Sequence, residues 1–425
     1  MEFPQPHTGS YYAATQNLPT GYAPLEGDQH ADVCVVGAGF SGISTALHLA
    51  ERGYAVHVVE ANQVGWGATG RNGGQIIGGI SGEEQLARNY GEGGDALLWD
   101  LRWAGHDIIR QRVQKYSIKC DLKWGYLDVA IKPRHLRAME AEVARMQRYE
   151  FPHEYRQLDK SETAELIGTE AYIGSLLNMG NGHLHPLNLC VGEARAAVAL
   201  GATIYEQSPV LKINPGKKAV VETARGRVHA DTVVLAGNAY HNTEKRLKNY
   251  LFPVQSFIVA TEPLSTELVA EINPQDLAVC DPNFLLEYFR LSADKRLLFG
   301  GRVRHFGDDV AFIRKRLGDK MRRVYPQLEK QKIAYAWTGC IGVTLNRVPQ
   351  LGRLEPNVFF SQGYSGHGVN VTHLAGQIMA DAVAGTMERF DVFASIPPLV
   401  VPGSRALRRP LTELGLMYYK MRDKM

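Results

Sequence analysis

The stretch that decides the fold is ADVCVVGAGFSGISTALHLAERGYAVHVVE, residues 31–60. Residues 31–36 form a short apolar run rich in valine, which predicts a buried parallel strand. Residues 43–52 carry apolar side chains at helical spacing, and residues 55–59 form a second apolar run that ends in Glu60. The stretch therefore predicts a complete βαβ unit.

A glycine-rich turn, GAGFSG at residues 37–42, joins the first strand to the helix. It satisfies the GxGxxG pattern of dinucleotide-binding turns, and the acidic Glu60 follows 18 residues after Gly42. Gly37 permits the tight turn, Gly39 lets the backbone approach a pyrophosphate, and Gly42 allows close packing of the helix. Glu60 is expected to accept hydrogen bonds from ribose hydroxyls, which disfavours NADP and leaves FAD and NAD open. A turn without a ligand is the alternative, and the βαβ context disfavours it.

The rest of the chain contains three kinds of pattern. A loop at 64–82 contains eight glycines and little periodicity, so we expect it to approach a ligand closely. Residues 251–305 carry strand-like patches that favour a largely antiparallel sheet in a separate lobe. Elements of the α/β kind are predicted as helices at 83–117, 133–148, 187–200 and 371–384, and as strands at 203–205, 232–235 and 358–361.

Composition and charge limit the classes of function. With 45% hydrophobic and 21% charged residues, the 425-residue chain is typical of a folded protein of two or three domains. A net charge of +3 is too balanced for a protein that tracks a nucleic-acid backbone. The basic excess lies in residues 405–425, which hold six Lys or Arg and two Asp or Glu. This tail suggests peripheral contact with a membrane or a protein partner.

The pattern of cysteines and the N-terminal sequence indicate where in the cell the protein is located. The five cysteines are scattered and never stand in CxxC spacing, which argues against a disulfide framework and against a metal site. The N-terminus has no basic segment followed by an apolar one, and no run of about 18 apolar residues occurs. We therefore expect a cytoplasmic protein without a transmembrane segment.

Five motifs lie along nearly the whole chain: GAGFSG (37–42), GWGATGRNGG (65–74), VVLAGNAY (233–240), LLFGGR (297–302) and GYSGHG (363–368). Together they resemble the D-amino-acid oxidase (DAO) superfamily of FAD enzymes. Four further stretches are most similar to the gamma-glutamylputrescine oxidase subfamily: SYYAAT (10–15), GHLHPLN (182–188), WTG (337–339) and PPLVVPGSRALRRPL (397–411).

The resemblance implies the fold class and a domain division. The class is α/β, with a Rossmann-type FAD-binding domain interleaved with an α+β substrate domain built on a mainly antiparallel sheet. The expected ranges are an N-terminal lead at 1–29, an FAD-binding domain at 30–90, 150–240 and 335–395, a substrate-binding domain at 91–149 and 241–334, and a basic C-terminal extension at 396–425.

The cofactor implied by the resemblance is FAD. Arg71 and Asn72 are expected to present a cation and an amide to it, with a solvated Arg71 as the alternative. The helix after Gly366 and Gly368 would supply positive potential to an anionic reduced flavin, and His367 contributes either its side chain or only its backbone. The expected cofactor set is Gly37, Gly39, Phe40, Ser41, Gly42, Glu60, Ala61, Gly67, Ala68, Thr69, Gly70, Arg71, Asn72, Gly73, Gly74, Gln75, Val210, Ala236, Gly237, Gly339, Gly366, His367, Gly368 and Val369.

Noncovalent FAD is expected rather than covalent FAD. Cys340, in WTGCIG, lies within about a residue of the cysteine through which sarcosine oxidases attach their flavin. The alignment is loose, and a buried apolar cysteine is the commoner explanation.

Candidate substrate residues lie in the predicted antiparallel lobe. Tyr288 and Phe299 are expected to form walls of a substrate cavity, although aromatics at alternating strand positions are more often core. Arg290, Arg302 and Arg304 are candidates to bind a substrate carboxylate through a bidentate contact, with surface exposure as the alternative. Sarcosine oxidases carry a substrate-binding lysine at about the place of Asn370, so a simple small amino acid is less well supported.

The activity implied by the resemblance is oxidation of a C–N bond in an amine or amino acid. Hydride passes to FAD, the imine hydrolyses, and oxygen or another acceptor reoxidises the flavin. Two enzymatic alternatives stay open: an oxidase or dehydrogenase for a cyclic or N-substituted amino acid such as L-pipecolate, and a flavoprotein that passes electrons to a membrane quinone. A non-enzymatic dinucleotide-binding module is disfavoured, because nearly every cofactor-facing motif is present.

Overall fold

The computed structural model of the chain describes residues 4–241, 243–283, 286–301 and 309–401. In these ranges the chain forms two large β-sheets and the helices that cover them. The strands are β1 (Gly27–Val36), β2 (Val56–Val59), β3 (Gln75–Ile76), β4 (Lys123–Ala130), β5 (Tyr155–Leu158), β6 (Gly174–His183), β7 (Thr203–Tyr205), β8 (Lys212–Asn214), β9 (Ala219–Glu222), β10 (Gly226–Leu235), β11 (Phe252–Thr261), β12 (Ala278–Cys280), β13 (Glu287–Leu291), β14 (Leu297–Gly301), β15 (Ile333–Val343), β16 (Gln350–Glu355) and β17 (Val358–Gln362). The helices are α1 (Tyr11–Ala14), α2 (Phe40–Ala50), α3 (Glu83–Tyr90), α4 (Gly94–Lys115), α5 (Pro133–Arg148), α6 (Lys160–Ile167), α7 (Pro186–Ala199), α8 (Lys245–Lys248), α9 (Thr266–Ile272), α10 (Val310–Val324), α11 (Gly368–Val383) and α12 (Glu388–Ala394).

The first sheet contains the predicted βαβ unit. Its strands follow the order β16, β17, β10, β1, β2, β7, and β1 pairs in parallel with both β2 and β10. Val33 and Val35 of β1 pack in the cluster that contains α2, α7 and α11, whereas Cys34 and Val36 pack in the layer on the opposite face. Because both faces of the strand are buried, its sequence is apolar throughout. The predicted α/β class is confirmed.

The second sheet follows the order β15, β11, β14, β13, β12, β4, β6, β3, with β5 paired to β6. Its pairs are antiparallel, except that β12 lies parallel to β4. One face packs against Ile313, Leu317 and Met321 of α10. The antiparallel sheet predicted within residues 251–305 is confirmed, and its other face lines the cavity described below.

Four strands of the second sheet come from ranges that were expected in the FAD-binding domain. These are β3, within 30–90, β5 and β6, within 150–240, and β15, which lies within 335–395 except for its first two residues. β15 pairs with β11 along Phe252–Thr261. A short apolar run looks the same in either sheet, because its pairing is decided by contacts with distant segments. Beyond this strand membership, the domain division stays a prediction.

Several helices differ from their predicted bounds. α2 begins at Phe40 and α11 at Gly368, in each case three residues earlier than expected. These first turns contain glycine and polar residues, so the apolar period starts only after them. The predicted helix at 83–117 is divided into α3 and α4, because Gly91 and Gly93 between them have φ values of 88° and 76°.

No helix in the described part of the chain is long and apolar enough to cross a membrane. The same residues contain no group of three or more His, Cys, Asp or Glu side chains placed to hold a metal ion. The description ends at Val401, so nearly all of the basic C-terminal extension lies outside it.

Candidate active site

A cavity of about 1020 Å³ is lined by residues of both sheets. Small-molecule sites usually occupy about 300–1,000 Å³, so this cavity has room for a large ligand. Three groups of elements form its walls. We call them the turn part (the ends of β1, β2 and β10 and the start of α2), the loop part (residues 66–75, β15 and the start of α11) and the sheet part (β4, β12, β13 and α5).

The turn part contains the predicted dinucleotide fingerprint. Gly37 has a φ of 108°, which glycine adopts without strain. The amides of Ala38 and Asn62 donate to the two carboxylate oxygens of Glu60 over 2.7 and 2.9 Å, which holds this group at the end of β2. Burial raises the pKa of Glu60. The predicted residues that line the turn part are Gly37, Gly39, Phe40, Ser41, Glu60, Ala61, Val210, Ala236 and Gly237.

The first turn of α2 faces the same part of the cavity. The amide of Phe40 donates to Thr69 Oγ1 over 3.0 Å, and Ser41 Oγ donates to the hydroxyl of Tyr364 over 2.7 Å. The N-terminal amides and the positive end of the helix dipole favour an anionic group. The turn part is therefore suited to a pyrophosphate.

The loop part contains the predicted glycine-rich segment. The Arg71 guanidinium lies 4.3 Å from the centre of the Trp66 ring, and its Nε donates to the Trp66 carbonyl over 3.0 Å. The Asn72 side chain braces the loop: it donates to the Thr69 carbonyl over 2.7 Å and accepts from the Gly74 amide over 2.8 Å. Arg71 is therefore held at the cavity wall. The predicted residues that line it here are Gly67, Ala68, Thr69, Arg71, Asn72, Gly73 and Gln75.

Three glycines of the expected cofactor set lie behind the wall. A Cβ atom at Gly42 would lie 1.9 Å from the Gly37 carbonyl oxygen, and one at Gly70 would lie 2.6 Å from the Gly65 carbonyl oxygen. At Gly74 it would lie 2.3 Å from a carbonyl oxygen of the segment before α7. These glycines do not line the cavity, and their physical role is close backbone packing.

The start of α11 completes the loop part, where five residues of the expected cofactor set line the cavity: Gly339, Gly366, His367, Gly368 and Val369. Burial and the charge of Arg347 lower the pKa of His367 to about 4, so its imidazole is neutral at physiological pH. Arg347 also lines the cavity and donates to the Ser365 carbonyl over 3.2 Å. Sequence reasoning missed Arg347, since no helix, strand or glycine pattern surrounds it.

The predicted substrate residues do not all line the cavity. Tyr288 lines the cavity and covers Gly300, where a Cβ would lie 2.1 Å from the tyrosine ring. Phe299 points to the other face of the sheet, where it stacks on Phe289 with ring centres 5.8 Å apart. Because side chains alternate along a strand, neighbours of a cavity-facing residue face the core, and Phe299 is not a cavity wall. Arg302 and Arg304 lie outside the described residues.

Arg290 is a buried structural cation that lies away from the large cavity. Its Nε donates to the Gly73 carbonyl over 2.7 Å, and its Nη2 donates to the Leu184 carbonyl over 2.8 Å and to the Tyr12 hydroxyl over 3.1 Å. Only 4% of its surface is exposed. Arg290 therefore connects β13 to the loop part and to the N-terminal segment, and it is not placed to bind a substrate carboxylate in the cavity.

Comparison with known proteins agrees with this geometry. Residues 32–382 match the DAO family of FAD dependent oxidoreductases. This chain belongs to that family. It is 42% identical over 422 residues to the gamma-glutamylputrescine oxidoreductase of Escherichia coli (strain K12), covering 99% of each chain, and 42% identical over 428 residues to the probable oxidoreductase OrdL of Haemophilus influenzae, covering 99% of this chain and 98% of OrdL. Glycine oxidase from Geobacillus kaustophilus has the same fold, with a TM-score of 0.73 at 21% identity, 88% of this chain and all of that chain being covered.

The chain is an FAD-dependent oxidoreductase, and the residues of its cavity fit FAD chemically. The α2 N-terminus suits the pyrophosphate, and the Glu60 carboxylate suits ribose hydroxyls. Arg71, Arg347 and the α11 N-terminus bring positive potential to the loop part, where an anionic reduced ring would need it. The binding role of each residue is a proposal that rests on this fit.

The sheet part of this DAO-family cavity contains polar residues that sequence reasoning missed. Tyr126 and Asp128 come from β4, Arg134 and His135 from the start of α5, and Asp281 from the end of β12. Burial raises the pKa of Asp128 and of Asp281 to about 7 in each case. The available signal was a charged residue inside the apolar strand WGYLDVA, at 124–130.

Cys340 does not line the cavity of this DAO-family protein, although its neighbours Gly339 and Ile341 do. Alternation along β15 turns the thiol away from the cavity wall. Burial raises the pKa of the thiol to about 11, which keeps it protonated at physiological pH.

Proposed function

We propose that this enzyme oxidises the primary amine of a gamma-glutamylputrescine-like substrate. The observation that carries the proposal is the 42% identity to the Escherichia coli gamma-glutamylputrescine oxidoreductase along 99% of both chains. The cavity supports it, because one continuous space of about 1020 Å³ extends from the dinucleotide fingerprint to polar residues of the second sheet. Such a space accommodates an extended substrate beside the cofactor.

The residues of the chain bind, orient and shield the reactants. When bound, FAD would supply the hydride acceptor for the carbon that carries the amine, and the imine product would then be hydrolysed by water. Tyr288 and the loop part meet at Gly73, where a Cβ would lie 2.5 Å from the tyrosine ring. We propose that the reacting carbon lies beside this contact. Tyr288 and the loop backbone would then exclude water from the reacting carbon. The charges of Arg71 and Arg347 would favour negative charge on the reduced flavin ring.

We also propose that the FAD is noncovalent and that the protein is cytoplasmic. Noncovalent binding is supported by the orientation of Cys340, whose thiol is turned away from the cavity. Acid precipitation is expected to release all of the flavin into the supernatant. Flavin retained in the washed pellet, and lost from it in Cys340→Ser, would contradict this.

Anaerobic bleaching of the flavin tests the substrate assignment. The purified holoenzyme is mixed with gamma-glutamylputrescine, putrescine, sarcosine or L-pipecolate, and loss of the visible flavin absorbance is followed by stopped flow. We expect the fastest bleaching with gamma-glutamylputrescine. Fast bleaching by L-pipecolate or sarcosine alone would overturn the proposal in favour of a cyclic or N-substituted amino acid.

The acceptor is tested with the reduced enzyme. We propose oxygen, so mixing with air-saturated buffer should restore the flavin absorbance and yield hydrogen peroxide in equal amount. Slow reoxidation by oxygen and fast reoxidation by a soluble quinone would show instead that the enzyme is a dehydrogenase.

A further inference from the structure

Strand pairing fixes the distance between the sheet part of the cavity and Tyr288, beside which the proposed function places the oxidised carbon. Tyr288 lies directly opposite Cys280 on the neighbouring strand, and Cys280 lies directly opposite Asp128 on the next. Residues opposite each other on adjacent strands point to the same face, so all three side chains face the cavity. Two strand spacings of about 4.8 Å place Asp128 roughly 10 Å from Tyr288.

Asp128 is the member of this part whose carboxylate lacks a partner. Among the described residues, no hydrogen-bond donor or cation pairs with it, and the nearby Arg102 is paired with Glu142 over 2.9 Å. Asp281, in contrast, accepts the amides of Asn283 and Glu287 over 2.8 Å each, so its carboxylate already has partners. A partly buried carboxylate without a partner is costly, and a cationic ligand removes that cost.

One cationic side chain, that of Arg134, accompanies Asp128 in the same part of the cavity. Arg134 and His135 stand at the start of α5 and line the wall. Arg134 Nε lies 3.3 Å from His135 Nε2. The sheet part therefore presents both signs of charge, which is the complement of a group that carries an ammonium and a carboxylate side by side.

We propose that Asp128 binds the α-ammonium of an amino-acid head group at the end of the substrate remote from the oxidised carbon, with Arg134 directed to the α-carboxylate. The inference rests on the proposed function, which places an amine at the flavin. The lengths agree: nine bonds separate the reacting carbon of gamma-glutamylputrescine from its α-nitrogen, or roughly 11 Å when extended. Asp128 is thus a specificity-determining residue, and the substrate class is an aminoacyl derivative of a diamine.

The test compares two substrates that differ only in the α-ammonium. Gamma-glutamylputrescine carries it, and glutarylputrescine lacks it. Asp128→Asn should lower kcat/KM about tenfold or more for gamma-glutamylputrescine, mainly through KM, and leave glutarylputrescine nearly unchanged, because a charge-assisted hydrogen bond is lost with the first substrate only. Asp100→Asn, an exposed position on α4, is the matched control and should change neither value.

Flavin absorbance and thermal unfolding verify that each variant is folded holoenzyme. Arg134→Gln provides a second readout: it should weaken gamma-glutamylputrescine relative to 4-aminobutyrylputrescine, which lacks only the α-carboxylate. Equal losses with both members of a pair, or no loss with either, would overturn the inference. If the wild-type enzyme oxidises none of these amines, the proposed function itself is wrong. If it oxidises them, but neither variant changes the ratio of kcat/KM values within its substrate pair, only the head-group assignment is wrong.

Discussion

At the scale of single residues, two glycines of the dinucleotide fingerprint are required for different physical reasons. A Cβ at Gly42 would lie 1.9 Å from the Gly37 carbonyl oxygen, whereas a Cβ at Gly39 meets only Thr69 Oγ1, at 3.1 Å. Gly39 lines the cavity and Gly42 does not. Gly42 is thus required for the fold, and Gly39 for close approach of the ligand.

We therefore expect Gly39→Val to give folded, colourless protein with a Tm close to that of the wild-type apoprotein. Gly42→Ala should instead lower the unfolding free energy, by about 1–3 kcal/mol or more, because backbone atoms must move apart. Visible absorbance and thermal unfolding of both apoproteins separate the two effects. Full flavin occupancy in Gly39→Val would show that the fingerprint does not hold FAD.

At the scale of elements, a buried polar network connects four helices beneath the turn and loop parts. Glu193 of α7 accepts from Arg112 of α4 over 2.9 Å and lies 3.1 Å from His373 Nε2 of α11. Arg112 also donates to Ser44 Oγ of α2 over 3.0 Å. All these side chains are almost fully buried. The network therefore sets how α2 and α11, whose first turns line the turn and loop parts, are held together.

Removing one partner of this network should be strongly destabilising. Glu193→Ala leaves Arg112 buried and unpaired, which is expected to cost about 3–5 kcal/mol of unfolding free energy. Thermal unfolding measures this, with Glu165→Ala, an exposed position on α6, as the control. A loss below about 1 kcal/mol would mean that the helices are held by apolar packing alone.

The same network predicts a dependence of stability on pH. Burial by itself would raise the pKa of Glu193, but His373 and Arg112 lower it to about 2 from an ordinary value of 4.5. Because the folded pKa is depressed, this stabilisation is fully present above about pH 4.5 and is lost as the pH falls toward 2. The Tm difference between wild type and Glu193→Gln should therefore shrink from pH 6 to pH 3.

At the scale of the whole molecule, the N-terminal segment closes the outside of the loop part. The Gln5 amide donates to Asn62 Oδ1 over 2.6 Å, and Trp66 Nε1 donates to the Pro6 carbonyl over 2.7 Å. Asn62 and Trp66 both line the cavity. Burial and the charge of Arg71 lower the pKa of His7 to about 4, so the segment places a neutral imidazole near this cation.

Deletion of residues 1–9 should therefore speed flavin release several-fold while the two sheets stay folded. Trp66→Phe removes the indole hydrogen bond to the Pro6 carbonyl while keeping an aromatic ring beside Arg71, and it should have a smaller effect in the same direction, about 1 kcal/mol or less. Release is followed by fluorescence of free flavin after dilution. An unchanged rate of flavin release in both variants would show that the N-terminal segment does not contribute to FAD binding.

Much of the fold and of the dinucleotide site followed from local sequence. The βαβ unit of residues 31–60 is decided by neighbouring residues, since strand and helix periods and the special φ of Gly37 act over a few positions. Most residues expected at the cofactor do line the cavity, because glycine motifs mark places where the backbone must come close. Gly42, Gly70 and Gly74 show the limit of this inference, since glycines of the same motifs are also required where two backbone segments pack closely.

The tertiary structure alone decided the substrate side of the cavity. Tyr288 and Phe299 both stand on strands and look equivalent in sequence, yet pairing of β13 with β14 turns one to the cavity and the other to the core. Asp128 reaches the cavity only because β4 pairs with β12 across about 150 residues of chain. Sequence patterns report local periodicity, whereas register and face are set by contacts between distant strands, and a one-residue shift exchanges the two faces.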